Sequence, residues 1–390
     1  MFMVMEVLFM AAMPYLLELL KIVSGALNAD RPKVVSYVEQ LAGRLEEAGD
    51  PVSARRLRRT LAEGKAKLME MGPASVGTRL PVDSESRLDL ADEERPTVDA
   101  VDLVLDSEHL EVLREFVGYV GAADRLLAEG VGISPSLLVF GPPGCGKTQL
   151  ARFTAAQLGL PLLTARTDSL ISSFLGSTAK NVRRLFEHAM SRPCVLFLDE
   201  LDAIAKLRDD QHEMGELKRV VISLLQNIDA LDQSTVLIGA TNHEHLLDPA
   251  IWRRFAYHLK IGLPKEGGRR QLFQLFLSRH ATQDVVILAA SVAEGLTGSD
   301  IRQVSEDSIR AAIVHGNETI DECDVLRRIL RLRLPEWGAR GENMPELVRR
   351  VREMNPDVFT YRRLAALFGV SLGHVSKLIH QRERGDGKGH

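Results

Sequence analysis

Apolar residues recur along this chain in two rhythms. From Tyr15 to about Met71 they fall at helical spacing, and "PKVVSYVEQLAGRLEEAGD" and "PVSARRLRRTLAEGKAKLMEM" make two segments broken at Gly49-Asp50-Pro51, a helix stop and restart. Residues 1–72 thus read as an N-terminal helical domain built on this hairpin. Residues 73–98, rich in Gly, Pro, Asp and Glu, read as a linker. The rhythm then changes to short apolar runs: "SLLVF" (136–140), "LPLLT" (160–164), "CVLFLD" (194–199), "TVLIGAT" (235–241) and "YHLKIGL" (257–263). Helical stretches separate them, which predicts a five-stranded parallel sheet with helices on both faces over residues 99–264. Residues 265–334 return to helical spacing as a smaller all-α lid. Residues 335–390 hold a last three-helix unit.

Composition narrows this α/β reading. A chain of 390 residues with few aromatics suits several helix-rich or α/β domains, and a net charge of −4 gives no global pull toward nucleic acid or anionic membrane. Cys145, Cys194 and Cys323 are scattered and odd in number, so neither a disulfide framework nor zinc spacing is expected, and a reducing cytoplasm is the simpler setting. The opening "MFMVMEVLFMAAMPYLLELLKIV" is apolar, yet Glu6, Pro14 and Glu18 interrupt it and no basic residue precedes Lys21. Those features argue against a signal peptide or a spanning helix, and Met13 is a natural alternative start. No membrane partner is expected.

Candidate chemistry sits at the ends of the predicted strands. "GPPGCGKT" (Gly141, Pro142, Pro143, Gly144, Cys145, Gly146, Lys147, Thr148) follows the first strand and opens the helix beginning "TQLARF", the context a phosphate-binding loop requires. Backbone N–H groups there wrap phosphate oxygens, with Gln149 next in line. Lys147 would reach the β- and γ-phosphates, and the Thr148 hydroxyl would meet Mg²⁺. In "VLFLDELD", Asp199 and Glu200 stand at a strand's carboxyl end, where ligands of open α/β sheets collect. Asp199 would hold Mg²⁺ and Glu200 would activate the attacking water. Asn242, at the tip of the next strand, would position that water. A nucleotide and Mg²⁺ are therefore the expected ligands.

Together "GPPGCGKT", "VLFLDELDAIA", "GATNHEHLLDPAIWRRF" and "GLTGSDIRQV" resemble the AAA+ ATPases, and within them the AAA clade that remodels or unfolds proteins. The resemblance covers about Ser134 to Val304. It implies ATP as the nucleotide, Walker A and Walker B motifs, Asn242 as sensor 1, and Arg253 and Arg254 as the arginines that reach a neighbouring subunit's nucleotide. The chain is two residues shorter here than the common family form. Both arginines stay open as the finger, with Arg254, next to Phe255, favoured. "TGSD" resembles the clade's lid signature, which brings Gly298 and Ser299 near adenine and ribose. Phe174-Leu175-Gly176, in "DSLISSFLGSTAKNVRRLF", matches the clade's aromatic pore loop, the alternative being an ordinary core position. The resemblance thus implies a homo-oligomeric ring, a hexamer, acting on a protein substrate and serving a partner protease. No protease nucleophile constellation or H-E-x-x-H is present, so any proteolysis belongs to another chain.

The tail opens a second route. "YRRLAALFGVSLGHVSKLIHQ" resembles a bacterial helix-turn-helix, with Ala365, Gly369, Val375 and Leu378 at its small, turn and core positions. From Arg349 to His390 nine Lys/Arg face four Asp/Glu. In a DNA complex Ser371, His374 and Lys377 would face the major groove and Arg362 and Arg363 the phosphates. The alternative function is then a DNA-directed ATP switch acting through this helix-turn-helix, and a cap that docks on the ring or a partner is the other reading of the segment.

Overall fold

The computed structural model describes residues 15–27, 31–66, 80–82, 89–166, 170, 175–206, 214–232, 234–334 and 344–380. They fall into two compact units. The first comprises 1–103, 108–141 and 147–261, the second 104–107, 142–146 and 262–390.

The first unit is built on one sheet. Its strands are β1 (Ala91–Glu94), β2 (Ser136–Phe140), β3 (Leu162–Ala165), β4 (Val195–Leu198), β5 (Val236–Thr241) and β6 (Tyr257–Lys260). They lie in the order β1-β3-β4-β5-β2-β6. The last five are mutually parallel, as the alternation with helices required. Every residue of β4 and β5 is buried, which explains why these strands read as unbroken apolar runs. Val182, Leu185, Phe186 and Ala189 of the helix Leu175–Met190 and Val220, Val221, Leu224 and Ile228 of Met214–Asp229 pack in one core with Leu196, Leu198 and Leu237. Burying each large aliphatic side chain contributes about 1.5–3 kcal/mol.

β1 is a correction. It lies within 73–98, expected to be linker, and pairs antiparallel with β3 from Ala91↔Ala165 to Glu94↔Leu162. "ADEE" carries no strand signal of its own. Leu90 and Ala91 are fully buried, and each outward acid meets an arginine of the neighbouring elements: Asp92 with Arg166 at 2.8 Å, Glu93 with Arg192, Glu94 with Arg152 at 3.0 Å. Charge on an edge strand also discourages pairing with another chain. Arg192 binds both Glu93 oxygens, at 3.1 and 2.5 Å, and touches His188 at 3.0 Å. Burial, aided by Arg192, pushes the His188 imidazole down to about 4, so it stays neutral beside the guanidinium.

The N-terminal residues add a helix ahead of the expected hairpin: Leu16–Leu27, then Arg31–Glu47 and Pro51–Ala66. The Asp50 carboxylate accepts from Ser53 N at 3.0 Å and caps the third helix. These helices belong to the first unit. Tyr37 is fully buried with its hydroxyl 2.6 Å from Ser234 Oγ, Lys21 pairs with Asp232, and buried Glu18 pairs with Arg44, which also reaches Asp124 at 3.1 Å. Among the described residues no helix is long and apolar enough to cross a membrane.

The second unit is all-helical: Glu266–Leu277, Gln283–Val292, Gly298–Val314, Glu322–Arg333, Met344–Met354, Tyr361–Phe368 and Leu372–His380. The sequence divided this region at 334/335. In the structure Phe273, Ile301 and Ile329 share one hydrophobic cluster with Val348, Phe359, Leu364 and Val375. Arg327 fastens the two parts, donating to the Ala366 carbonyl at 2.8 Å and the Leu367 carbonyl at 3.2 Å, two of the groups a helix end leaves unpaired.

Arg192→Ala should release β1. Losing a half-buried bidentate pair costs about 1–3 kcal/mol, so amide exchange at Ala91–Glu94 should quicken by roughly tenfold or more. Unchanged protection there, read by hydrogen exchange, would show that Leu90 and Ala91 alone hold the strand.

Candidate active site

In the first unit the chemistry hangs from the carboxyl ends of β2, β4 and β5. After Phe140 the chain turns at Gly141, where an added Cβ would stand 1.9 Å from the Ile261 carbonyl oxygen, so no other residue fits. Lys147, the first residue of the helix Lys147–Leu158, is 7% exposed and donates from Nζ to the Gly141 carbonyl at 2.8 Å. Gln149 lies half-buried two residues on. Thr148 is exposed, and its Oγ1 donates to Asp199 Oδ2 at 3.2 Å. The other Asp199 oxygen accepts the Glu200 backbone N–H at 2.9 Å.

Glu200 is exposed with φ 52°, a left-handed conformation that a non-glycine residue holds at a cost of about 1–3 kcal/mol. Its carbonyl accepts Ala203 N at 2.8 Å, which starts the short helix Leu201–Lys206. The reversal separates a carboxylate fixed at the strand end from one presented to solvent.

Asp202 is a residue that sequence reasoning passed over. It is 5% exposed, and its Oδ1 accepts Thr241 Oγ1 at 2.9 Å and Asn242 N at 3.3 Å, while Thr241 Oγ1 accepts His243 N at 3.0 Å. Burial opposes charge on Asp202, yet the bonds from Thr241 and Asn242 outweigh it and hold its carboxyl below the usual range. Asp202 thereby fixes the strand tip that carries Asn242. The available signal was the last acid of "DELD" together with a threonine one residue before the asparagine.

Pro142–Gly146 groups with the second unit. Pro142 and Pro143 are exposed, Cys145 and Gly146 half-buried. At Gly144 a Cβ would meet Ser299 Oγ at 2.3 Å and Thr297 Oγ1 at 2.8 Å, and Ser299 N donates to the Gly144 carbonyl at 3.1 Å. Gly298 is less crowded, its Cβ position lying 3.3 Å from the same carbonyl oxygen. "TGSD" is also a capping box: Asp300 N donates to Thr297 Oγ1 at 3.2 Å, and Thr297 N to Asp300 Oδ2 at 2.9 Å. The motif thus starts the helix Gly298–Val314 and seats Gly298 and Ser299 on the loop.

The two arginines separate. Asp248 caps the turn Pro249–Trp252, and Trp252 stacks on His258 at 4.6 Å and packs against Phe140 at 5.0 Å. Arg254, favoured from sequence as the finger, makes a bidentate pair with Asp229 at 2.7 and 3.0 Å. Arg253 is exposed, and among the described residues its side chain has no hydrogen-bond or ion-pair partner. Phe174 lies outside the described residues, and Leu175 and Gly176 are the first residues of the helix Leu175–Met190. Of the tail residues, Arg362, Ser371, His374 and Lys377 are exposed, whereas Arg363 turns inward to Glu322 at 3.3 Å and the Val358 carbonyl at 2.6 Å.

If Asp202 positions Asn242, Asp202→Ala should lower kcat for ATP hydrolysis roughly tenfold while KM changes less than about threefold, and Asp202→Asn, which still accepts from Thr241, should recover part of the loss. A full kcat in Asp202→Ala would leave the contact purely structural.

The family model for AAA, the ATPase family associated with various cellular activities, matches residues 137–263. An uncharacterized AAA family ATPase, y4kL of Sinorhizobium fredii, is 36% identical over 294 residues, 75% of this chain and 88% of the relative. Proteasome-activating nucleotidase of Methanopyrus kandleri is 33% identical over 265 residues, covering 65% of this chain and 61% of the relative. ATP-dependent zinc metalloprotease FtsH 1 of Symbiobacterium thermophilum is 33% identical over 217 residues, covering 53% of this chain and 36% of the relative. With the strand-end motifs, these likenesses make the chain a member of the AAA family and an ATP-hydrolysing enzyme.

Proposed function

We propose that this ATPase works as a homo-oligomeric ring, a hexamer, that unfolds or threads protein substrates through a central pore and passes them to a partner protease. The observation that carries the ring is Arg253: an exposed cation on a turn pinned by Trp252, without a side-chain partner among the described residues of its own chain. A guanidinium so held has its use at the γ-phosphate of a neighbouring subunit, where it offsets charge that develops during phosphoryl transfer. Arg254, paired with Asp229, then anchors the turn. The likeness to proteasome-activating nucleotidases and to an ATP-dependent metalloprotease supports protein as substrate and a protease as partner.

Within one subunit the roles follow from the local chemistry. Lys147 neutralises the β- and γ-phosphates, and the backbone of Gly141–Thr148 wraps their oxygens. Thr148 and Asp199, already 3.2 Å apart, are a fitting oxygen pair for Mg²⁺, whose charge when bound balances that of the phosphates. Glu200 takes the proton of the attacking water, Asn242 orients that water, and Gly298 and Ser299 meet adenine and ribose. Phe174, with Leu175 and Gly176, grips polypeptide by packing that needs no particular sequence.

In mixed assemblies Arg253→Ala subunits should poison their neighbours, so an equal mixture should fall clearly below half of wild-type turnover. A linear decline with the mutant fraction would mean that each subunit hydrolyses alone. Phe174→Ala should keep basal turnover yet lose both its stimulation by an unfolded protein and the unfolding of a tagged substrate. Intact unfolding in that variant would remove the pore role.

A further inference from the structure

The helices Tyr361–Phe368 and Leu372–His380 carry none of the residues assigned above to the nucleotide site. Only Gly369, Val370 and Ser371 join them, and Gly369 takes the left-handed turn (φ 66°) that ends the first helix. Thr360 caps the first helix by accepting Arg363 N at 3.3 Å, and Ser371 Oγ accepts His374 N at 3.3 Å at the start of the second. Leu364, Leu367, Val375 and Leu378 are buried between the pair and the rest of the unit. Arg327 and Arg363 tie the pair to the helix Glu322–Arg333, so it is presented as a rigid body.

What this packing leaves outside is one face of Leu372–His380. Ser371, Gly373, His374 and Lys377 are exposed, with His374 and Lys377 three apart and Gly373 and Lys377 four apart, the spacings that share a helix face. Leu372 is 53% exposed, an apolar side chain among polar ones, and nothing lies within 4 Å of a Cβ built on Gly373, so the backbone is open to close approach. Arg362 is exposed on the preceding helix, and among the described residues its side chain has no partner. Asp and Glu are absent from Val358 to Arg382, in a chain that otherwise has 53 acids.

We propose that this face enters the major groove of duplex DNA. A helix about 10–12 Å across fits a groove about 12 Å wide, and a helix pair without Asp or Glu of its own that exposes Arg362 and Lys377 suits a phosphate backbone. Lys377 and His374 donate to base edges, Leu372 packs on a thymine methyl, and Arg362 holds the backbone. Arg363, committed to Glu322, supports the fold instead. Duplex RNA is disfavoured because its deep, narrow major groove does not admit a helix.

The test is fluorescence anisotropy of the full-length protein with a labelled random-sequence DNA duplex at about 50 mM salt, then at rising salt. Saturable binding that weakens with salt is expected. Arg362→Glu with Lys377→Glu should weaken it by roughly tenfold or more with an unchanged circular dichroism spectrum, while Arg270→Glu, on another exposed surface, should not. An RNA duplex of the same sequence should bind correspondingly less well. Absence of DNA binding, binding that survives the double substitution, or equal binding of RNA would overturn the assignment; the first would leave the face to a protein partner.

Discussion

Two aspartates fasten the carboxyl end of β4, one to the helix that follows β2 and the other to the end of β5, and the geometry of the first unit's chemistry depends on them. Asp199 accepts from Thr148 and from the Glu200 backbone, tying the end of β4 to the helix that follows β2. Asp202, three residues later, accepts from Thr241 and Asn242 and ties that same turn to the end of β5. Glu200 stands between the two anchors in a left-handed conformation that nothing local would favour. The strain is sustained because both sides of the residue are held by buried or strand-fixed groups. The Glu200 carboxylate is thereby held apart from the one beside it.

The same economy of fixed turns is seen at the turn that carries the two arginines. Between Trp252 and Phe255 only two residues remain, and Trp252, stacked on His258, and buried Phe255 pin both ends. With the turn this tight, its arginines cannot do the same work. One closes a bidentate pair with Asp229, and the other is exposed. In the second unit Gly144 lies so close to Thr297 and Ser299 that a side chain there would collide with them, which ties the phosphate loop to the start of the helix Gly298–Val314.

Much of this was legible in the sequence because parallel strands buried on both faces must be apolar throughout, and phosphate loops must be glycine-rich. The five parallel strands and the glycine-rich loop after the first of them follow from such local necessity. Features that depend on partners distant in sequence were not legible. β1 is an acidic segment whose strand character comes from arginines at 152, 166 and 192. Asp202 reads as one more surface acid until Thr241 is beside it. Arg254 and Arg363 look as available as Arg253 and Arg362, and only Asp229 and Glu322 distinguish them. The boundary at 334/335 separated two runs of helical spacing, whereas the hydrophobic cluster runs across it.

The central claim is that Glu200, set apart by its strained backbone, is the base that activates water while Lys147, Thr148 and Asp199 bind the nucleotide. Single-turnover ATP hydrolysis by Glu200→Gln, measured alongside its ATP affinity, tests this most directly. The account predicts affinity within about threefold of wild type and hydrolysis slower by roughly 100-fold or more. Hydrolysis at close to the wild-type rate, with ATP bound, would contradict it.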